Sequence, residues 1–298
     1  MNSGAKGSVG IVGLGIMGGA IGRNLAAAGW RVVGYDVDAA ACREAEAAGI
    51  AIKADAAEVA RAAPVVLTSL PKPAALLATA EAIAGISERR IVAELSTFAI
   101  EDKTAAEEVL RRAGHVMLDC PLSGTGSQAK QKDLVVYASG DRQAIRSLEP
   151  LFADFARKTH DLGAFGNGMK MKFVANLLVA IHNVASAEAM VLGMKAGLDP
   201  HQLVELVTSG AGSSRVFELR APMMAENRYD GDNVTMKVSI WQKDMTVIGD
   251  FARAIGVPTP TFSACEPIYN AAMSTGHAMH DTAAVCAVLE AMAGLTRR

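Results

Sequence analysis

Short apolar runs alternate with segments of helical periodicity through the first half of the chain. Val9–Val12 and Arg31–Tyr35 have the length and composition of buried strands, and in residues 18–29 between them the apolar positions recur at helical spacing. Further strands are predicted at Val65–Leu70, Ile91–Leu95, His115–Asp119 and Leu134–Ser139, with helices filling the gaps. Regular alternation of this kind predicts an α/β fold with a doubly wound, mostly parallel sheet.

The alternation stops near Gly163. Apolar-periodic segments then predict helices at residues 169–196, 200–208, 235–256 and 264–276, with a last one from Asp281. Between the first two, Asp199 is expected to cap a helix that has Pro200 at its first position. The sequence therefore predicts two domains, an α/β domain over residues 1–163 and an all-helical domain over residues 164–298.

Composition and charge exclude several classes of protein. Hydrophobic residues make up 51% of the 298 residues, and the net charge of −2 indicates neither nucleic acid nor an anionic membrane as partner. The four cysteines stand far apart, without metal-site spacing, as expected of buried residues in a reducing compartment. Met1–Ser8 lacks the apolar core of a signal peptide, and polar residues interrupt Leu177–Val191, so we expect a cytoplasmic protein with a buried helix there.

A glycine pattern links the first strand to the first helix: Gly13-Leu14-Gly15-Ile16-Met17-Gly18. In this context the glycines permit a tight turn, a close approach of the backbone to a pyrophosphate, and close packing of the helix on the sheet. The pyrophosphate would lie at the helix N-terminus, where free N–H groups favour negative charge. The pattern predicts a Rossmann domain that binds a nicotinamide dinucleotide. A glycine turn without a ligand is the alternative.

Asp36 ends the second predicted strand. An acidic residue at this place accepts hydrogen bonds from the adenosine ribose hydroxyls and repels a 2′-phosphate. Asp36 therefore favours NAD over NADP as the cofactor. The alternative is an ordinary turn residue at the end of a strand, which would leave NADP possible.

Two other strand ends belong to the same edge of the predicted sheet. Ser69-Leu70-Pro71 follows one strand and Ser96-Thr97 follows the next. Ligands bind beyond the carboxyl ends of strands in such sheets. The hydroxyl groups at these positions either hold the nicotinamide ribose or cap helices, and the spacing is compatible with both roles.

Three later segments carry polar residues that suggest chemistry: residues 119–126, 166–176 and 243–244. In the second segment, Lys172 and Asn176 share one face of a strongly apolar helix. Burial of a lysine is costly and lowers its pKa toward the range that is useful for proton transfer. Lys172 is therefore a candidate general acid/base. A lysine whose amine reaches solvent fits the same spacing.

Together these motifs resemble those of the β-hydroxyacid dehydrogenase family, which includes 3-hydroxyisobutyrate dehydrogenase and tartronate semialdehyde reductase. The resemblance extends from Val9 to about Leu289. It rests on the glycine loop, Leu70-Pro71, Ser96-Thr97, Pro121-Leu122-Ser123-Gly124, the glycines at 166 and 168 with Lys172 and Asn176, and Lys243-Asp244. It implies a Rossmann domain and an all-α domain joined by the long helix that carries Lys172.

The resemblance also implies roles for single residues, with Lys172 as general acid/base and Asn176 orienting the substrate. The remaining roles are binding roles: Ser123, Gly124 and Thr125 hold the substrate carboxylate, Lys243 lies beside substrate and nicotinamide with Asp244 as its neighbour, and Leu70, Pro71 and Thr97 contact the cofactor. The implied reaction transfers a hydride between NAD(P) and a small β-hydroxyacid, or the matching semialdehyde or oxo acid, while Lys172 exchanges the hydroxyl proton.

Some positions depart from the family pattern or leave a choice open. Thr125 stands where a further glycine is expected, which could alter the carboxylate pocket. Arg215 lies where the family forms the distal substrate pocket, and it either binds a second anionic group or forms a surface ion pair. His277 and His280 lie one helical turn apart without a third ligand in view, so we expect solvated histidines and no metal site.

Two other functions compete with the dehydrogenase. An imine reductase on the same scaffold would typically replace the lysine at position 172. A non-catalytic nucleotide sensor or scaffold would not need Ser123, Lys172, Asn176 and Lys243 together. We further expect a homodimer or homotetramer, because a helix as apolar as the one that carries Lys172 needs covering. The sequence leaves the particular hydroxyacid and the direction of the reaction open.

Overall fold

In the computed structural model, residues 6–231 and 234–297 are described. The chain divides into two compact units, residues 1–172 and 173–298. The first unit contains β1 (Ser8–Val12), α1 (Ile16–Ala27), β2 (Arg31–Tyr35), α2 (Ala39–Ala47), β3 (Ala51–Ile52), α3 (Ala56–Ala62), β4 (Val65–Thr68), α4 (Pro73–Ala84), β5 (Ile91–Glu94), α5 (Ile100–Arg112), β6 (Val116–Asp119), β7 (Leu122–Ser123), α6 (Gly126–Lys130), β8 (Val135–Ala138), α7 (Arg142–Ala153) and β9 (Lys158–Asp161).

The main sheet of this unit has six parallel strands in the order β3-β2-β1-β4-β5-β6. The chain runs outward from β1 in both directions, so the strand order reverses beside β1, where the glycine loop begins. The last residues of the strands are in register, from Tyr35 and Val12 through Thr68 and Glu94 to Asp119. The predicted doubly wound parallel sheet is confirmed, and its carboxyl edge presents the predicted cofactor segments together.

Alternation of side chains along the strands gives the sheet an apolar core on each face. Val9 and Ile11 pack with Leu25 on one face, whereas Val12 and Val33 belong to the cluster on the other. Strands that are covered on both faces read as continuous apolar runs, which is why these strands are recognisable in the sequence.

A second, three-stranded sheet has the order β7-β8-β9. The predicted strand Leu134–Ser139 is therefore a strand, but it does not lie in the main sheet. Its backbone pairs with the main sheet at the bridge between Asp119 and Ser139. β9 has the sequence Lys-Thr-His-Asp, with no buried residue, so hydrophobicity could not reveal it.

The helix α8 (Asn167–Lys195) begins in the first unit and continues in the second. The second unit then adds α9 (Pro200–Thr208), α10 (Arg215–Glu226), α11 (Val238–Ala254), α12 (Pro260–Ala272), a π turn at Met273–His277, a 3₁₀ turn at Thr282–Ala284 and α13 (Val285–Met292). The predicted helical half is confirmed, and Asp199 caps α9 by accepting from the N–H groups of His201 and Gln202. The predicted domain limit at residue 163 stays a prediction.

α8 is long and apolar enough to cross a membrane by length and composition, a test that the core helix of a soluble protein also passes. The side chain of Asn183, in the middle of α8, is fully buried and donates to the Tyr269 hydroxyl and to the carbonyl oxygen of Thr282. That part of the helix therefore packs inside the second unit. Met171, Val174 and Leu178 of α8 are exposed, and the expected homo-oligomer that would cover such a surface stays a prediction.

Candidate active site

Two glycines of the loop between β1 and α1 are required by the fold itself. Gly13 has φ +94°, and a Cβ atom added there would lie 2.1 Å from the carbonyl oxygen of Ser69. A Cβ atom at Gly18 would lie 1.9 Å from the carbonyl oxygen of Gly13. Gly18 is thus needed because α1 starts directly against the backbone of the glycine loop. The sequence had explained this glycine by the packing of the helix on the sheet.

Gly15 differs from these two glycines. It is exposed, and a Cβ atom added there would meet no atom within 4 Å. α1 begins after Gly15 with no side-chain cap and no acidic residue in its first turn. The free N–H groups and the helix dipole therefore face open space that a side chain at position 15 would partly fill. This cradle fits a pyrophosphate.

Asp36 is hydrogen bonded to the glycine loop. Its Oδ2 accepts from the backbone N–H of Leu14 at 2.6 Å, and its Oδ1 accepts from the N–H of Asp38 at 2.8 Å. The second bond is the local one that a turn residue makes, whereas the first fixes the carboxylate beside the loop. Each carboxylate oxygen can accept a further hydrogen bond, so the geometry fits ribose hydroxyl groups.

The segments after β4 and β5 are bonded to each other. The N–H of Leu70 donates to Oγ of Ser96 at 2.8 Å, and the N–H of Ser96 donates to Oε1 of Glu94 at 2.8 Å. The Ser96 hydroxyl therefore holds the Leu70 segment and caps no helix. Pro71 is exposed and Thr97 half-buried at the same edge.

The predicted carboxylate loop lies beside the glycine loop. Gly124 follows β7 with φ +136°, and a Cβ atom at Gly126 would lie 2.5 Å from Cγ2 of Ile16. Thr125 starts α6, where its N–H donates to Oε1 of Gln128 at 3.0 Å and its hydroxyl lies 2.9 Å from that of Ser127. The hydroxyl that departs from the family pattern thus takes part in the start of α6.

Lys172 is buried, with 8% of its surface exposed, so its side chain does not extend into solvent. The first turn of α8 is bonded to the strand ends: the N–H of Gly168 donates to Oγ of Ser139 at 2.9 Å, and the N–H of Met169 donates to Oδ2 of Asp119 at 2.8 Å. A Cβ atom at Gly168 would lie 2.3 Å from the carbonyl oxygen of Tyr137. Glycine at this position therefore allows the close approach of α8.

Sequence reasoning missed a buried charged cluster under this edge. Nζ of Lys103 lies 2.6 Å from Oε2 of Glu94 and 2.7 Å from Oδ1 of Asp119, and all three side chains are fully buried. Burial raises the pKa of Glu94 despite the opposing effect of Lys103. Burial also acts to lower the pKa of Lys103, but the two carboxylates outweigh it and the pKa lies above its usual value. The available signal was a lysine on the inward face of α5 beside Ala106 and Leu110.

In the second unit, α8 and α11 bring three predicted residues together. Nδ2 of Asn176 donates to Oδ2 of Asp244 at 2.8 Å, and both side chains are buried. Nζ of Lys243 lies 3.7 Å from Oδ1 of the same carboxylate. Asp244 thus orients the Asn176 amide and attracts the Lys243 ammonium. The sequence analysis had named Asp244 only as the neighbour of Lys243.

Arg215 is mostly exposed at the start of α10, and its Nη1 lies 3.0 Å from Oε2 of Glu218. This is the surface ion pair that the sequence left as one of two choices. Because such exposed pairs contribute about 0.2–1 kcal/mol, we expect Arg215→Ala to change thermal stability little and to leave KM unchanged. Steady-state assays over hydroxyacids with and without a distal anionic group test this. A KM that rises only for the doubly charged acids would restore Arg215 as a specificity residue.

The histidine pair and the cysteines are not arranged as a metal site within the described residues. His277 and His280 face each other with 2.9 Å between their Nδ1 atoms, and they are half-buried where solvated side chains were expected. Within residues 6–231 and 234–297, no group of three or more histidine, cysteine or acidic side chains is arranged to hold a metal ion. Cys120, Cys265 and Cys286 are buried, and Cys42 is half-buried.

A dinucleotide cradle, with a buried lysine on a helix whose first turn is bonded to the same edge of the sheet, is typical of oxidoreductases of the NAD(P)-binding class. Residues 8–166 match the family model of the NAD-binding domain of 6-phosphogluconate dehydrogenase. Residues 166–289 match a second family model, described as NAD-binding of NADP-dependent 3-hydroxyisobutyrate dehydrogenase. The chain belongs to the β-hydroxyacid dehydrogenase family.

Relatives align in sequence or structure with almost the whole chain. L-threonate dehydrogenase of Cupriavidus necator is 31% identical over 93% of this chain and 94% of its own. Glyoxylate/succinic semialdehyde reductase 2 of Arabidopsis thaliana, a chloroplastic protein, is 28% identical over 95% of this chain and 80% of its own. The crystal structure of 3-hydroxyisobutyrate dehydrogenase from Salmonella typhimurium has a TM-score of 0.85 at 29% identity, covering 95% of this chain and 100% of that one.

Proposed function

We propose that this protein is a dehydrogenase that transfers a hydride between NAD(P) and a small β-hydroxyacid, with Lys172 as the general acid/base. The observation that carries the proposal is the burial of Lys172 on a helix whose first turn is hydrogen bonded to the carboxyl edge of the dinucleotide-binding sheet. Ligands of such sheets bind at this edge. Oxidation of an alcohol by a nicotinamide requires a group that accepts the hydroxyl proton, and a buried amine at this edge can serve as that group.

The cofactor supplies the hydride acceptor or donor, and the side chains supply placement and proton transfer. In oxidation, Nζ of Lys172 as the free amine accepts the hydroxyl proton of the substrate while the carbon loses its hydride. In reduction, the ammonium form donates a proton to the oxygen on which negative charge develops, and its own charge stabilises that oxygen. The same atom therefore serves both directions.

The other matched residues bind and orient the substrate in this proposal. Ser123 and Gly124 hold the carboxylate, and they belong to the loop that lies against the glycine loop at Ile16. Asn176 orients the substrate, with its amide held by Asp244. Lys243 adds positive charge, which favours an anionic substrate.

The assay that tests this function follows NADH formation from NAD⁺ with a panel of small hydroxyacids that includes L-threonate and 3-hydroxyisobutyrate. We expect activity with at least one β-hydroxyacid and none with the matching acid that lacks the hydroxyl group. A protein that binds NAD⁺ but oxidises no member of the panel, and that instead reduces cyclic imines, would be an imine reductase. Binding with neither activity would indicate a nucleotide sensor.

The cofactor preference depends on Asp36. Because its carboxylate is fixed beside the loop and would repel a 2′-phosphate, we expect the wild type to use NAD in preference to NADP. Asp36→Asn keeps an oxygen for the N–H of Leu14 but removes the charge. Since a hydrogen bond to a charged group contributes about 1.5–3 kcal/mol, the ratio of kcat/KM for NAD over that for NADP should fall roughly 10- to 100-fold. An unchanged ratio would remove Asp36 from cofactor selection.

A further inference from the structure

The proposed mechanism does not use the charged cluster of Lys103, Glu94 and Asp119. All three side chains have no exposed surface, although burial of charge is among the most unfavourable steps in folding. Breaking such a cluster destabilises a protein, whereas apolar residues of similar volume often serve stability as well or better. A contribution to stability therefore does not by itself account for the cluster, whereas a role in holding neighbouring segments in place would.

One branch of the cluster leads to α8. Oδ1 of Asp119 is held by Lys103, and Oδ2 of the same carboxylate accepts from the N–H of Met169 at 2.8 Å and from the hydroxyl of Ser139 at 3.1 Å. Ser139 in turn accepts from the N–H of Gly168. Lys103 thus fixes the rotation of the carboxylate that receives the first turn of α8.

Lys172 lies one turn further along α8 than Met169. Because side chains three apart lie on neighbouring positions of a helix, a shift or rotation of the first turn moves the Lys172 amine directly. A displacement of about 1 Å in a reacting group can cost roughly 100-fold in rate. The hydrogen bond from Met169 to Asp119 therefore helps to set the position of the Lys172 amine, the proposed general acid/base.

The other branch leads to the predicted cofactor edge. Oε1 of Glu94 accepts from the N–H of Ser96, and the hydroxyl of Ser96 accepts from the N–H of Leu70, each at 2.8 Å. Lys103 forms ion pairs with both carboxylates, so it joins the α8 branch to the cofactor branch.

We propose that Lys103 is a positioning residue for the reaction: by fixing Asp119 it holds the first turn of α8 and thereby places the Lys172 amine relative to the cofactor edge. The inference rests on the proposed function of Lys172. Lys103 itself touches no reacting atom.

The test compares Lys103→Met with Arg90→Met. Arg90 is also a buried cation of this sheet, but it precedes β5, at the opposite end of the strand from Glu94, and donates to the carbonyl oxygen of Ala60. We expect both variants to have a lower Tm. Only Lys103→Met should lower kcat, by about 10- to 100-fold, and only Lys103→Met should change the rate at which acetic anhydride modifies Lys172 in the protein without substrate, read by peptide mass spectrometry.

A milder variant covers the case in which Lys103→Met does not fold. Ser139→Ala keeps every charge and removes only the hydroxyl between Asp119 and Gly168. We expect it to fold, to change the modification rate of Lys172 and to lower kcat several-fold, in the same direction as Lys103→Met.

The two proposals fail in different ways. If Lys172→Met retains activity, the proposed function of Lys172 is wrong. If Lys172 is essential but the folded variants of Lys103 and Ser139 leave both kcat and the modification of Lys172 as in the wild type, only the positioning role is overturned. Equal changes in Arg90→Met would also overturn it, since the effect would then follow from any lost buried cation.

Discussion

Lys172→Met is expected to lower kcat by about 10²- to 10⁴-fold, the range that general acid/base catalysis contributes in enzymes. The side chain is buried, so methionine replaces its apolar stem at similar volume and removes only the amine. Without the amine, the hydroxyl proton loses its proposed acceptor in oxidation, and the developing negative charge on oxygen loses the Lys172 ammonium that would stabilise it in reduction. The affinity for NAD⁺ should stay within a few fold of the wild-type value, because the amine acts on the substrate oxygen.

Lys170→Met is the matched control for this variant. Lys170 lies half a turn earlier on the same helix, but it is exposed, and its Nζ lies 3.1 Å from Oδ1 of Asn167. We expect Lys170→Met to keep wild-type kcat. Steady-state kinetics together with NAD⁺ titration by tryptophan or NADH fluorescence checks both variants. Equal activity of Lys172→Met and Lys170→Met would contradict the assigned role.

Gly15→Ala is expected to weaken NAD⁺ binding without destabilising the protein. An added Cβ atom meets no protein atom within 4 Å, and Gly15 is not among the glycines with positive φ, so the fold accepts alanine. The methyl group would instead occupy the space through which a pyrophosphate approaches the first N–H groups of α1. Loss of one charge-assisted hydrogen bond, about 1.5–3 kcal/mol, would raise the Kd for NAD⁺ roughly 10- to 100-fold.

The neighbouring glycine provides the contrast. In Gly18→Ala the Cβ atom would overlap the carbonyl oxygen of Gly13, so the backbone must shift. Overpacking of this kind lowers the free energy of unfolding by about 1–3 kcal/mol. Gly18→Ala should therefore lower both the Tm and the affinity for NAD⁺. Thermal unfolding and calorimetric titration separate the two cases. If Gly15→Ala bound NAD⁺ as the wild type does, the cradle would not be the pyrophosphate site.

Features whose cause is local were predictable from the sequence. The glycine loop needs its glycines because of contacts among Gly13, Gly18 and Ser69 and because of the space over Gly15. The strands of the main sheet are buried on both faces and therefore read as apolar runs, apart from the two-residue β3. Lys172 and Asn176 lie on a single helix at the spacing that the sequence shows, and both are buried, which the sequence left open for Lys172.

Features that depend on a partner far along the chain were missed. Lys103 breaks the apolar face of α5, and its cost is offset by Glu94 and Asp119 on two strands. α10 was not predicted because Arg220 and Pro222 interrupt its apolar pattern. Arg220 is nevertheless buried, with its Nε 3.4 Å from Oδ1 of Asp281. A charge at an inward position looks like a surface residue until its partner is known.

The most direct measurement of the central claim is the transfer of deuterium from substrate to cofactor. A hydroxyacid that the panel shows to be oxidised is prepared with deuterium on the carbinol carbon, and the NADH produced is analysed by mass spectrometry. We expect singly deuterated NADH from the wild type, formed more slowly than NADH from the unlabelled acid when hydride transfer limits the rate. Unlabelled NADH, or no NADH from any hydroxyacid by a protein that binds NAD⁺, would contradict the account.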